Sequence, residues 1–233
     1  MRHAQASFLA ENYDVLSPTG EAQSRLLGKY WTGRNLRFDR VCAGPRVRHI
    51  DTVKLVREAY GLSGLDFPEV QIISEFDEYP AEAVMKSGLP RLLEVDPQVR
   101  ELHQAFLRSA QPDEQQARFQ RLFEVVVAEW AHGTLRVDGV ETWLEFCSRV
   151  NAGFDRFLSA GNRGERTAIF TSGGPCAVAL QRALEISPKQ TLLSSWMVRN
   201  SSWSEFLYSA KRFSLSSFNS HGHITEPSHL TYR

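Results

Sequence analysis

From about Pro80 to Leu158 the chain has helical periodicity throughout, whereas before residue 75 and after residue 165 short apolar runs alternate with helical ones. Strands that alternate with helices pair in parallel, because each crossover returns the chain to the same end of the sheet. The pattern therefore predicts one α/β domain over residues 1–233: a mainly parallel sheet with helices on both faces, a helical insertion over about 80–158 and a C-terminal β-hairpin. Strands are expected at Phe38–Cys42, Val70–Ser74 and Thr167–Thr171, and the hairpin at Asn200–Tyr208 with Arg212–Phe218.

Helix boundaries follow from caps. Ser17-Pro18-Thr19-Gly20 opens a first helix, with Ser17 or Thr19 as cap, and Gly33 ends it. A second is expected from Val47 to Tyr60, closed by Gly61; a third follows the Ser172 turn as far as Leu184, and Ser187-Pro188 starts a short fourth. Inside the insertion, Phe119, Leu122, Phe123, Val126, Val127 and Trp130 form one apolar stripe, and Trp143, Phe146, Val150, Phe154 and Phe157 another. Both stripes are expected to be core. Residues 6–16 read as loop.

The 27 basic and 27 acidic side chains cancel. No broad field therefore draws the chain to nucleic acid or to an anionic membrane, and any anion site must be a local cluster of arginines. No apolar run reaches the length of a bilayer span, so the expected location is a reducing cytoplasm. Cys42, Cys147 and Cys176 are odd in number and far apart, which argues against a disulfide framework or a zinc site.

Arg2-His3 is the pair with chemistry in it: imidazole is a nucleophile at neutral pH, and guanidinium grips oxyanions in a fork. Arg40, Arg46 and Arg48 surround a strand-to-helix junction; Arg40 and Arg46 read as solvated charges, Arg48 as an addition to the anion site at a helix start. Glu75 and Glu78 follow a strand end, where open α/β sheets keep their sites. Ser172-Gly173-Gly174 is a turn whose small residues let backbone N–H groups approach an anion. Cys176 in the following helix ranks low as a nucleophile, and His132-Gly133 reads as loop. His221, His223 and His229 have no acidic or cysteine partner at ligand spacing, so a solvated tail is expected.

In order and spacing, these segments resemble the histidine phosphatase superfamily, also called the phosphoglycerate mutase-like family. Arg2-His3-Ala4 matches its Arg-His-Gly, and Leu16 to Gln23 matches Leu-Ser/Thr-x-x-Gly-x-x-Gln. Gly44-Pro45-Arg46-Val47-Arg48-His49-Ile50-Asp51-Thr52-Val53 matches Ser-Pro-x-x-Arg-x-x-x-Thr-Ala. Glu75 lines up with its acid, Ser172-Gly173-Gly174 with its late His-Gly-Gly, and Asn219 to His223 with its closing Asn-x-x-x-His. The resemblance implies hydrolysis of a small phosphorylated metabolite, with no cofactor and no metal. His3 would attack phosphorus, Arg2 and Arg48 would clamp the oxygens together with Ser172 and Gly173, and Glu75, with Glu78 in reserve, would protonate the leaving oxygen. A mutase is the weaker expectation, and a homodimer is left open.

The sequence departs from the pattern twice. Ser172 replaces the second histidine; a neutral donor in place of a charged one costs about 1 to 2 kcal/mol, a step roughly tenfold to thirtyfold slower. An apolar strand should precede residue 2, where the sequence has Met1 alone; a true start further upstream is the preferred account. The alternative to an enzyme is a weak or inactive pseudophosphatase that binds a phosphorylated ligand or a protein partner.

Overall fold

The computed structural model describes residues 1–7, 14–209 and 211–232. Residues 8–13, part of the predicted loop 6–16, lie outside them. The chain divides into two compact units, one made of Met1–Glu78 with Arg149–Arg233 and the other of Tyr79–Ser148.

In the first unit Arg40–Ala43 forms the middle strand, β1, flanked by β2 (Val70–Ile72) and β3 (Thr167–Phe170). Both pairings are parallel, with Val41 opposite Val70 and Ala168. The predicted sheet is therefore present. α1 (Pro18–Thr32) and α2 (Val47–Leu62) cover it. Leu27 and Trp31 of α1 and Val53, Val56 and Tyr60 of α2 close over Val41, Ala43, Ala168 and Phe170. The helices begin where the sequence places them: Ser17 Oγ accepts from Gly20 N at 3.0 Å, and Pro18 fills the first helical position. Gly33 caps α1 in ordinary right-handed geometry (φ −62°). Gly61, by contrast, does not end α2, which continues to Leu62 and closes at Ser63.

After β3 come α7 (Gly173–Leu184) and α8 (Pro188–Met197), numbered after the insertion helices below, and then the antiparallel hairpin β4 (Trp203–Ser209) with β5 (Arg212–Ser220). The C-terminal segment is packed, which corrects the expected solvated tail: Asn200 N donates to Thr231 O at 2.9 Å, and His223 is 4% exposed with Nε2 2.9 Å from Ser201 Oγ. Arg40 is a second correction. Its guanidinium donates to Phe157 O and lies 4.1 Å from the Phe157 ring, so it is a packed side chain and not a solvated charge.

The second unit holds α3 (Ala81–Val95), α4 (Pro97–Leu107), α5 (Pro112–Ala131) and the first turns of α6 (Trp143–Ser159). Tyr79 stacks on Trp130 and meets Trp143 and Phe146 edge-on, and that aromatic cluster is its core. Both predicted stripes are largely buried, with Phe119 and Phe123 only half covered. No helix among the described residues is long and apolar enough to cross a membrane.

Candidate active site

The site lies in the first unit, at the carboxyl ends of the parallel strands, where β1 leads to α2 and β3 leads to α7. Met1, Arg2 and His3 run alongside β3: His3 N donates to Thr171 O at 2.7 Å and Thr171 N to Met1 O at 2.9 Å. On the other side Arg2 N donates to Ser202 O, and His3 O accepts from Ser201 N, both at 3.0 Å. The loop beyond is fixed in turn. Ala4 N donates to Thr52 Oγ1, and Gln5 N donates to Gln23 Oε1. A Cβ on Gly20 would lie 2.0 Å from Gln5 O, so α1 reaches this loop only because position 20 is glycine.

The His3 ring is 3% exposed. Its Nδ1 lies 2.6 Å from Ala4 O, which can only accept, so the ring proton is assigned to Nδ1 and Nε2 keeps its lone pair. Arg48 Nε donates to that Nε2 at 3.2 Å. Burial above all, then the charges of Arg48 and Arg2 and the nearby His49, hold the His3 pKa well below the ordinary histidine value. The imidazole is thus neutral at pH 7, the form that can attack.

Positive charge and helix ends surround it. Arg48, 5% exposed, also donates from Nη1 to Asp14 Oδ1 at 2.7 Å, and the same carboxylate accepts from Val47 N at the start of α2. Asp14 therefore sits where an anion would meet both a guanidinium and a helix N-terminus. Arg2 reaches Val198 O, and Gly173 leaves room for the end of α8: a Cβ there would lie 2.7 Å from Ser195 O and 3.9 Å from Arg2 Nε. Ser172, fully buried, stands before the first turn of α7.

The structure brings Arg2, His3, Arg48, Ser172 and Gly173 to one place. The Glu75 carboxylate accepts from Arg156 at 2.8 Å and from Ser74 Oγ at 3.0 Å. Desolvation pushes its pKa up, but its own backbone N–H, Ser74 and Arg156 outweigh that and hold it below the ordinary value, the wrong direction for a proton donor. Glu78 is the carboxylate that reaches α7, accepting from Gly174 N at 3.1 and 3.2 Å. Arg46 pairs with Asp77 at 2.5 Å. Cys176 is buried and its thiol pKa is raised by desolvation, so it remains a thiol.

Reading from the sequence missed three neighbours. Asp14 sits in a loop with no periodicity to place it. Gln23 closes the Leu16–Gln23 motif with no site role assigned to it, and its amide links Gln5 to His229 O. His49 falls on an unspecified position of the Arg48 motif, and its ring lies 5.6 Å from the His3 ring with Nε2 2.6 Å from Ser172 Oγ. Among the described residues no group of three or more His, Cys, Asp or Glu is arranged to hold a metal ion.

Comparison with known proteins agrees with this architecture. The model of the histidine phosphatase superfamily, branch 1, matches residues 80–221, more than half of the chain and including Ser172. No curated protein matches. Among solved structures, an alpha-ribazole phosphatase from Shigella flexneri is 18% identical, with 95% of each chain covered and a TM-score of 0.59. A phosphoglycerate mutase from Bacillus anthracis is 16% identical over 95% of this chain and 92% of its own, with a TM-score of 0.58. A phosphoserine phosphatase from Entamoeba histolytica, solved with phosphoserine, is 17% identical over 96% of each chain, with a TM-score of 0.56. At these identities the likeness is one of fold.

Proposed function

Because the chain belongs to the histidine phosphatase superfamily, branch 1, we propose that it hydrolyses a small phosphomonoester through a phosphohistidine on His3. The observation that carries this reading is the neutral His3 imidazole, its proton held on Nδ1 by Ala4 O and its Nε2 facing the Arg48 guanidinium. In the first step Nε2 attacks phosphorus, the bond from phosphorus to the ester oxygen breaks, and that oxygen leaves with a proton. Water then attacks the phosphorus of phospho-His3, releasing inorganic phosphate and the free imidazole. Phosphoryl transfer asks for positioning and positive charge more than for covalent help, and Arg2, Arg48 and the N-terminus of α7 supply both.

Proton donation falls to Glu78 and not to Glu75. Glu78 already lies against the first turn of α7, beside Ser172, while Glu75 is engaged by Arg156. Among the described residues nothing marks a pocket that would hold and return the phosphoryl group, so hydrolysis is proposed ahead of a mutase reaction.

The test is release of phosphate from an aryl phosphate by the whole chain and by His3→Ala. Loss of turnover in the variant, with the melting temperature kept, supports the reading; equal rates sink it. Asp14 favours a second reading, since its carboxylate already answers Arg48 and the start of α2. If the protein is a pseudophosphatase, phosphate or vanadate raises the melting temperature while turnover stays at background.

A further inference from the structure

We infer that His49 is a positioning residue for the phosphoryl step, acting through Ser172 to restore the imidazole-derived hydrogen bond that position 172 itself no longer supplies. The inference rests on the phosphohistidine reading above and names a partner that the reading leaves out.

Geometry carries it. His49 is fully buried in the first turn of α2, directly after Arg48, and its Nε2 lies 2.6 Å from the hydroxyl of the equally buried Ser172. Its Nδ1 faces the backbone of Gly44 without making a hydrogen bond of full geometry. The proton is assigned to Nε2, the nitrogen with a hydrogen-bond partner of full geometry. Nε2–H then donates to Ser172 Oγ. A hydroxyl that accepts one hydrogen bond keeps its own hydrogen to donate, and the donation it makes is strengthened by the one it receives. The Ser172 hydrogen is thereby turned toward the anion site beside His3 and Arg2.

Packing alone does not account for this imidazole. Burying a polar ring with one nitrogen unsatisfied is unfavourable, and a leucine or methionine of similar volume would avoid it. The neighbourhood is also shaped to the ring. A Cβ on Gly44 would lie 2.5 Å from His49 Nδ1 and 2.5 Å from Phe76 O, so position 44 holds glycine. Gly44 and Ser172 both adjoin this one ring. An imidazole missing from the start of α7 reappears across the cleft on α2, with a serine as its extension. Burial, then Arg48 and Arg46, keep His49 neutral, so it works as a dipole and not as a fixed charge.

The experiment is a double-mutant cycle on the whole chain with an aryl phosphate: His49→Ala, Ser172→Ala, both together, and His49→Gln, whose amide offers a donor near the place of Nε2. If His49 acts through Ser172, each single alanine variant lowers kcat about tenfold, the worth of one hydrogen bond. KM stays within about threefold, the double variant is no worse than either single, and His49→Gln recovers most of the rate. Losses that multiply in the double variant, or an unchanged kcat in His49→Ala, overturn the inference. So does a phosphoenzyme stable to acid, which would make Ser172 and not His3 the nucleophile. Melting temperatures separate misfolding from lost chemistry, with His49→Gln as the variant expected to stay folded. If wild-type turnover survives His3→Ala, the phosphohistidine reading fails by itself. The His49 inference is then decided by inorganic phosphate affinity across the same cycle, where non-additive losses support it and equal affinities refute it.

Discussion

At the scale of single residues the site is a set of protonation states held by burial. Arg48 donates from Nε to the nucleophile and from Nη1 to Asp14, so it is pre-aimed at oxygens on phosphorus. Arg48→Ala is expected to lower kcat/KM by about 10² to 10³, the usual loss when one preorganised donor is removed, in a steady-state assay with the melting temperature as control. The two carboxylates can be told apart by leaving group. Glu78→Gln should cost about a hundredfold on an alkyl phosphate, whose leaving oxygen needs a proton, and far less on a nitrophenyl phosphate, whose oxygen does not. Glu75→Gln should leave both rates within about threefold, since its partner Arg156 is largely solvated; the reverse ranking would return the acid to Glu75. Acid stability follows from His3, His49 and His223, whose pKa values are all lowered by burial first, that of His223 to about 4. Unfolded, each takes up a proton near pH 6.5; folded, each resists it. Their contribution is therefore complete above about pH 6.5 and is lost as pH falls, by about 1.4 kcal/mol per pH unit for each ring that stays neutral. Denaturant melts should show stability dropping between pH 6.5 and 5 while the urea m-value holds; a flat profile would mean that the rings take up protons in the folded state.

At the scale of elements, the joints matter more than the helices and strands they connect. α1 is held against the residues after His3 by Ser17, Gly20 and Gln23, each of which touches Gln5. In Gly20→Ala the new methyl would meet a backbone oxygen at 2.0 Å, so the helix or the loop must move. Overpacking of this kind costs about 1 to 3 kcal/mol; calorimetry should show a melting temperature lower by several degrees, with kcat falling because Gln5 is only two residues from the nucleophile. The elements themselves were legible for a plain reason. β1, β2 and β3 are short apolar runs bounded by turns, and α1, α7 and α8 begin at serine or glycine turns that local chemistry dictates. The Arg2, His3 and Arg48 cluster was legible only through the order of motifs along the chain, because its members meet across long separations. Glu75 and Glu78 lie at a joint. The chain leaves β2 at Ile72 and takes a single 3₁₀ turn over Ser74–Phe76, so strand alternation no longer tells which carboxylate faces inward. The tail was misread because His223 is buried, and Thr231 is held, by partners more than twenty residues away, which no local pattern announces.

At the scale of the whole molecule, the first unit holds two sheets where a single continuous one would fit. β3 pairs with β1 and β4 with β5, and among the described residues the remaining edges of β3 and β4 are bridged only by the segment Met1–His3. That segment runs parallel to β3 at Thr171 and antiparallel to the approach to β4 at Ser201 and Ser202. A groove of ≈ 1760 Å³ continues from Met1 between Thr167–Ile169 and Ser204–Tyr208, with the Tyr208 hydroxyl reaching across to Thr167 Oγ1 at 3.2 Å. The register fixes what could fill it: a residue added ahead of Met1 would fall beside Ile169 on one side and Ser204 on the other, and three would exhaust β3, beside Ile169, Ala168 and Thr167. Each would lie between the backbone edges of β3 and β4. A three-residue Val/Ile extension fused ahead of Met1 should therefore raise the melting temperature by about 5 °C, equivalent to roughly 2 kcal/mol in a chain of this size. It should also slow amide exchange along Thr167–Phe170 and Trp203–Ser209. A Gly/Ser extension of equal length, unable to hold an extended strand, should do neither. If both extensions leave the melting temperature and the exchange rates unchanged, the groove does not accept a strand, and the nucleophile depends for its anchorage on the bonds that Met1, Arg2 and His3 already make.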